Sequence, residues 1–380
     1  MITPLTTEQA ELKAVAGRVA REHIAPSAAA IDAQQELPQS LLDTLYEAGL
    51  LRVVIPRELG GLGQGLLSSC LVVEEIARAS GSVGNLAHVT NLCFWPFISF
   101  GNAAQRQFVA ETLLRRRGRI CFALTEPNVG SDAGALETRA VRDGDDYVLT
   151  GRKSLASDAV LSDLLVIYAS TDPSKRGRGT AAFLVPQGAP GLSYGARDES
   201  MGMRGASISD VILEGVRVPA SYMVGQDGEG VKIALWTLER GRLTVSAIGV
   251  GLAQGALDYA IRYAKERTQF GQPISNFQGV QFMLADMAIK VETARIVMQH
   301  IAAMIDEGQP RTRYYASVSK CFSSDAAMSV TTDAVQVLGG YGYLKRHPVE
   351  RMMRDAKTLQ IYEGTNQIQR IVIARYLLQD

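Results

Sequence analysis

Apolar side chains recur at helical spacing from residue 7 to about residue 117. In EQAELKAVAGRVAREHI, which follows Thr7, residues Leu12, Val15, Ala16 and Val19 fall on one face, as in an amphipathic helix. A second helix, SLLDTLYEAG, stops at Gly49, and the loop PRELGGLGQG leads into a third, LLSSCLVVEEIARAS. HVTNLCFWPFISFG is so apolar that it predicts a buried segment. At about residue 118 the period shortens. RICFALTEP, RAVRDGDDYVLTG, DLLVIYAST, GTAAFLVP, LSYGA and SDVILEGVRVP are short runs rich in Val, Ile, Leu and Tyr, punctuated by Gly, Pro and Asp. They predict a meander of strands with DGDD as a hairpin turn. Helical spacing returns near residue 230. Phe277, Val280, Leu284, Met287, Val291, Ala294, Met298, Ile301 and Ile305 form a long stripe that suits a bundle or a subunit interface. Helices through SVSKCFSSDAAMSVTTDAVQVL, ending at Gly339-Gly340, and NQIQRIVIARYLL follow.

Helices, then strands, then helices exclude alternating βαβ units and predict an α+β fold. The expected parts are an N-terminal helical domain (1–117), a middle antiparallel β domain or small barrel (118–225) and a C-terminal domain resembling a four-helix bundle (226–380). A length of 380 residues predicts two or three domains around separate cores.

Charge removes several classes of function. The 39 basic and 39 acidic side chains balance, and the one short basic run is Arg115-Arg116-Arg117, so nucleic acid is not the expected partner. No apolar run reaches the roughly 18 residues of a membrane span. MITPLTTEQAELKAVAGRVA carries acids among its apolar residues, unlike a secretory signal. The four cysteines and four histidines are scattered, which disfavours a metal site or disulfide framework and fits a reducing cytoplasm. An organic cofactor stays open.

Neither GxGxxG nor GxxxxGK[ST] occurs, and GVGLAQG at 249–255 has the wrong spacing within a helical pattern. Gly191-Leu192-Ser193-Tyr194-Gly195 matches the GxSxG elbow, but no helical stripe follows it, so a surface loop is the better reading of Ser193. Four stretches carry more chemistry. FALTEPNVGSDAG (122–134) sets Thr125, Gly130 and Ser131 beside a Pro127 turn, a hydrogen-bonding rim for a flat heterocycle or a phosphate; Asp132 reads equally as a turn cap. Arg267-Thr268-Gln269-Phe270-Gly271 offers a cation and an aromatic for a pyrophosphate and a base, though by itself it reads better as a helix end. Glu239-Arg240-Gly241-Arg242 alone reads as a solvated face. In IYEGTNQIQR (361–370), Thr365 caps the final helix. Glu363 is there either a helix-dipole partner or a general base in an apolar pocket.

In order and spacing these stretches resemble the acyl-CoA dehydrogenase family of flavoproteins over nearly the whole chain. ERTQFGQPISNFQ and QVLGGYGYLKRHPVERMMRDAK are similar to its C-terminal domain. The resemblance implies a helical, a β and a second helical domain, a homotetramer built as a dimer of dimers, and FAD bound without a Rossmann domain. It implies Phe122, Leu124, Thr125, Gly130, Ser131, Leu155 and Ser157 at the flavin ring. Arg267, Gln269 and Phe270, with Gln336, Gly339 and Gly340, match contacts made to the same cofactor across the dimer. Thr365 and Gln367 match further FAD contacts. Ser131, Glu239 and Arg242 resemble residues facing the pantetheine and nucleotide part of the substrate, with Tyr362 and Gly364 beside it. Glu363 matches the catalytic base, taking the α-proton of an acyl thioester while the β-hydrogen leaves as hydride to the flavin. Where some members carry the base in another helix, this chain has Gly241.

Two departures stand out. After Lys153 the run Ser154-Leu155-Ala156-Ser157 keeps the family's hydroxyl but has Leu155 in place of its Trp, which is expected to open the flavin edge to oxygen, a bulkier substrate or another acceptor. His88, Asn91 and Trp95 are expected near the far end of the acyl pocket, where Trp95 and Phe94 shorten it, His88 and Asn91 are placed to meet a polar tail, and no arginine provides a carboxylate clamp; by itself His88 reads better as a satisfied core histidine. The implied function is cytoplasmic α,β-dehydrogenation of an acyl thioester in fatty acid metabolism, carried on CoA or a carrier protein, with an electron transfer flavoprotein as acceptor. The alternatives are an oxidase or a β-elimination in the same fold, a Ser193 hydrolase, and a catalytically silent partner subunit.

Overall fold

The computed structural model describes residues 4–378. Helix α1 (Thr7–Val19) is capped by Thr6, whose hydroxyl accepts from the Gln9 amide while the Gln9 side chain returns a bond to Thr6 N–H. A π turn over Ala20–Ile24 joins it to α2 (Ala25–Gln34). Pro26 has no N–H to continue the ladder, and the Ala25 amide reaches back to Ala20 O instead. Helices α3 (Gln39–Glu47), α4 (Leu66–Ala79), α5 (Gly81–Ser99) and α6 (Ala103–Arg116) follow. Helices α4 and α5 are apolar on nearly every face because they are enclosed on nearly every face.

The strands are β1 (Ile120–Ala123), β2 (Arg139–Asp143), β3 (Asp146–Ser157), β4 (Leu164–Ser170), β5 (Thr180–Pro186), β6 (Leu192–Tyr194), β7 (Ile208–Pro219) and β8 (Met223–Val224). They form one sheet in the order β6-β7-β3-β2-β4-β5-β8, with β1 also on β4. Two pairings depart from an antiparallel meander: β1 runs parallel to β4, and β2 meets β4 in parallel at Arg139 and Ser170. The DGDD turn is as expected, with Asp143 opposite Asp146 and Gly144 at φ +63°. Strand β4 shows why the sheet is fully apolar here. Leu164, Val166 and Tyr168 face the helices, while Leu165, Ile167 and Ala169 face the sheet's own core.

After the sheet come α7 (Gly230–Glu266), a hairpin of β9 (Thr268–Gln269) and β10 (Gln272–Pro273), then α8 (Gln278–Asp306), α9 (Thr312–Leu338), α10 (Val349–Thr358) and α11 (Asn366–Leu377). Met287, Val291, Ala294, Met298, Ile301 and Ile305 of the long stripe are buried. Length suggested two or three separate cores, and the described residues form two. The N- and C-terminal helices and one sheet face share a single core, and the sheet encloses a second. Among the described residues no helix is long and apolar enough to cross a membrane.

Candidate active site

Two clefts share a wall between the sheet and the loop that joins α10 to α11. The larger holds about 460 Å³ and is lined on the sheet side by Thr125, Gly130, Ser131, Leu155 and Ser157. Tyr362, Glu363, Gly364 and Thr365 form its other side. The smaller, about 200 Å³, keeps most of that wall and adds Phe122 and Leu124. Helix α5 supplies Asn85, His88, Val89 and Leu92, one stripe at steps of three and four; α7 supplies Leu235, Leu238 and Arg242.

Glu363 stands where both clefts meet. Its backbone is left-handed, φ +55°, followed by Gly364 at φ +87°. A non-glycine residue holds that conformation only when its surroundings fix it. Here Lys320 Nζ donates to Gly364 O at 2.9 Å and to Asn366 Oδ1 at 2.9 Å. Gln369 Nε2 donates to Glu363 O at 3.2 Å and Gly364 O at 3.0 Å. Burial lowers the proton affinity of Lys320, to a pKa of about 8. The Glu363 carboxylate is 7% exposed. Its Oε1 lies 2.8 Å from His88 Nε2, yet among the described residues neither carboxylate oxygen has an aligned hydrogen-bond donor. His88 Nδ1 is 2.6 Å from Thr244 Oγ1, which donates to Gly241 O. A Cβ on Gly241 would stand 2.3 Å from Glu363 Oε2. Burial, and then the charge of Glu363, pushes the Tyr362 phenol well above its ordinary range.

A buried ion pair shapes the opposite wall. Lys153 Nζ reaches Glu126 Oε1 at 2.6 Å and Leu124 O at 3.1 Å. Glu126 also accepts the amides of Glu137 (2.6 Å) and Thr138 (3.0 Å), closing the 124–138 loop on itself. Burial brings Lys153 down to about 8. For Glu126, burial is outweighed by the Lys153 charge and these hydrogen bonds, and the carboxyl sits below its usual range. A bulge between Lys153 and Ala156 leaves Leu155 outside the ladder at φ +56°, with 65% of its surface exposed.

A third cleft, about 450 Å³, gathers Arg267, Gln269, Gln336, Gly339 and Gly340 beside Tyr263 and Tyr341. Phe270 sits on the hairpin tip, 92% exposed, its ring edge-on to Phe277. Other expected residues are placed differently. Trp95 lines neither of the first two clefts and packs edge-on against Trp236 beneath Arg240. Asn91 turns its amide to Ala87 O. Glu239 is bonded to Thr312 rather than to either cleft. Gln367 is exposed, and Asp132 pairs with Arg176 at the surface. Ser193 lies inside edge strand β6, opposite Ile212, with no strand-to-helix elbow around it. Sequence reasoning missed Asn85, Met203, Arg354 and Lys357 in the larger cleft and Val89, Leu92, Leu235, Leu238 and Ile368 in the smaller. Their helical spacing from His88 was the available signal for three of these positions, 85, 89 and 92.

The arrangement fits a flavin nucleotide. Among the described residues the hydroxyls of Thr125, Ser131 and Ser157 make no hydrogen bond and line the larger cleft. A Cβ on Gly130, Gly339 or Gly340 would meet nothing within 4 Å, so a ligand can approach the backbone closely there. Comparison with known proteins agrees. Family models described as the acyl-CoA dehydrogenase N-terminal, middle and C-terminal domains match residues 6–116, 121–216 and 228–378. A probable acyl-CoA dehydrogenase, FadE25, of Mycobacterium tuberculosis is 42% identical over 99% of this chain and 96% of its own. The cyclohex-1-ene-1-carbonyl-CoA dehydrogenase of Geobacter metallireducens is 42% identical over 98% of this chain and 99% of its own. The structure of butyryl-CoA dehydrogenase from Megasphaera elsdenii superposes with a TM-score of 0.96 over the whole of both chains at 37% identity.

Proposed function

The chain belongs to the acyl-CoA dehydrogenase family, and we propose that Glu363 is the base with which this FAD-dependent oxidoreductase removes the α-proton of an acyl thioester. The observation that carries the assignment is the buried Glu363 carboxylate, held in a left-handed loop at the wall common to both clefts. FAD, when bound in the larger cleft, would supply the two-electron acceptor for the β-hydrogen. Thr125, Ser131 and Ser157 orient it through their free hydroxyls. Thr365, whose oxygen already accepts from the Ile368 amide, keeps its O–H for the same ligand.

The acyl group enters the smaller cleft, whose apolar walls exclude water and leave the carboxylate as the proton acceptor. The backbone N–H of Glu363 has no partner among the described residues and donates to the thioester oxygen, where charge develops as the α-proton departs. Gly241 leaves room for that carboxylate and brings no competing base. Arg267, Gln269, Phe270, Gln336, Gly339 and Gly340 take the far end of a cofactor belonging to a neighbouring subunit, which calls for a homotetramer built from such dimers. Exposed Phe282, Ile289 and Ile296, seven residues apart on α8, supply an apolar stripe for that assembly. We assign the enzyme to the cytoplasm, with CoA or a carrier protein bearing the acyl group and an electron transfer flavoprotein receiving the electrons.

The purified protein is expected to be yellow and to bleach on anaerobic mixing with a short acyl-CoA. Glu363→Gln should keep its FAD and bleach 10²–10⁴-fold more slowly, the usual worth of a general base. A variant that bleaches at the wild-type rate removes Glu363 from the reaction.

A further inference from the structure

The smaller cleft is apolar along Val89, Leu92, Leu235, Leu238 and Ile368, yet polar groups without partners also line it. Among the described residues Asn85 Oδ1, Arg242 Nε and Tyr362 Oη are buried with no hydrogen bond. A cleft for a plain hydrocarbon chain has no use for such groups, because each costs free energy when left unpaired. His88 stands among them. Its side chain is 1% exposed, Nδ1 is taken by Thr244, and Nε2 faces Glu363 Oε1 at 2.8 Å. Thr244 Oγ1 gives its own hydrogen to Gly241 O, so Nδ1 donates to Thr244 and the neutral ring keeps a lone pair on Nε2 that faces the Glu363 lone pairs with no hydrogen between them. That buried acceptor has no donor among the described residues, and a substrate hydroxyl can supply one.

We propose that His88 is the specificity-determining residue of the acyl pocket and selects thioesters whose acyl group carries a hydroxyl on its γ-carbon, which donates to Nε2. The reach fits. A reacting carboxylate oxygen sits about 3–3.5 Å from the α-carbon, and Nε2 is 2.8 Å from that oxygen. Nε2 therefore lies within about 6 Å of the α-carbon. A γ-oxygen on an extended chain is about 3.7 Å from the α-carbon, and a hydrogen bond spans about 3 Å more. This inference rests on the dehydrogenase reading and names the substrate class of the same site.

The test uses FAD-loaded Glu363→Gln protein, which binds thioesters without consuming them, titrated by calorimetry with butyryl-CoA and 4-hydroxybutyryl-CoA. The hydroxylated thioester should bind about tenfold tighter, the worth of one net hydrogen bond to a buried partner. Adding His88→Leu should abolish or invert that ratio, with butyryl-CoA binding as well or better, and His88→Gln should restore part of it. In the active enzyme the same preference should appear in KM rather than kcat. Equal binding of the two thioesters, or a ratio that His88→Leu leaves unchanged, overturns the proposal. Should His88→Leu lose its FAD, Thr244→Val decides: freeing Nδ1 must lower the ratio, and a constant ratio overturns the idea. A colourless protein that no acyl-CoA reduces refutes the dehydrogenase reading itself and the proposal with it, whereas bleaching without a preference refutes the proposal alone.

Discussion

Gly241→Ala separates the position of the base from the stability of the fold. A Cβ there would stand 2.3 Å from Glu363 Oε2, 2.6 Å from Oε1 and 2.7 Å from Cδ. Non-bonded carbon and oxygen need more than about 3 Å, so the carboxylate must retreat by roughly 1 Å. That group is the end of a flexible side chain, and its retreat strains no backbone. Meanwhile alanine in the interior of α7 favours the helix by about 0.5–1 kcal/mol over glycine. Activity and stability should therefore move in opposite directions. A misplacement of about 1 Å at the reacting atoms costs on the order of 10²-fold in rate. We expect the anaerobic rate of flavin reduction to fall by about that factor while the thermal midpoint stays level or rises by a degree or two. Gly279→Ala is the control, since a Cβ there on α8 meets nothing within 4 Å and should leave the rate untouched. Wild-type reduction by Gly241→Ala would show that the carboxylate does not work from this position. A fall of many degrees would show that backbone, not the carboxylate, bears the overlap.

Lys153→Met leaves the Glu126 carboxylate buried without its cation and should cost about 3–5 kcal/mol in urea unfolding, with loss of FAD as the 124–138 loop opens. Adding Glu126→Gln should recover most of it, and an unchanged urea midpoint in the single variant refutes this account. Burial raises the pKa of Asp355 to about 6 from its ordinary 3.8. Its folded-state proton therefore stabilises the protein fully below about pH 4, and that contribution disappears as pH rises through about 6. The unfolding free energy of wild type minus that of Asp355→Asn should fall by about 2 kcal/mol between pH 4 and pH 7. Parallel urea midpoints across that range contradict it. Leu155→Trp should cover the cleft edge that Leu155 leaves open and slow the reoxidation of reduced enzyme by oxygen several-fold; equal stopped-flow rates for both proteins would clear Leu155 of that role.

The elements were readable because most of their residues obey one local rule. The stripe of α8 and the alternation of β4 each follow from a single buried face or pair of faces. Parallel pairing of β1 with β4 was not readable, since both strands are short apolar runs whose direction is set by the long connection between them. The shared core of the two helical regions escaped for a similar reason. Helix α4 is buried on nearly every face, and the approach of α7 from far along the chain explains why. Trp95 shows the limit at the site. It lies seven residues from His88 on α5, but the aromatic and cationic partners Trp236 and Arg240 hold it away from the clefts.

Glu363 illustrates what local chemistry alone leaves undecided. At a helix N-terminus an acid is equally a dipole partner or a base, and the sequence around it reads the same in both cases. The difference lies in residues that come from other elements. Lys320 on α9 and Gln369 on α11 hold the carbonyls of Glu363 and Gly364, which fixes the left-handed turn. Gly241 on α7 clears the space that turn points into, and His88 on α5 meets the carboxylate there. A dipole partner would lie along the helix axis in water, needing none of these. Four separate elements instead aim one carboxylate into a dry cleft, and that convergence argues that its position was shaped by a reacting proton.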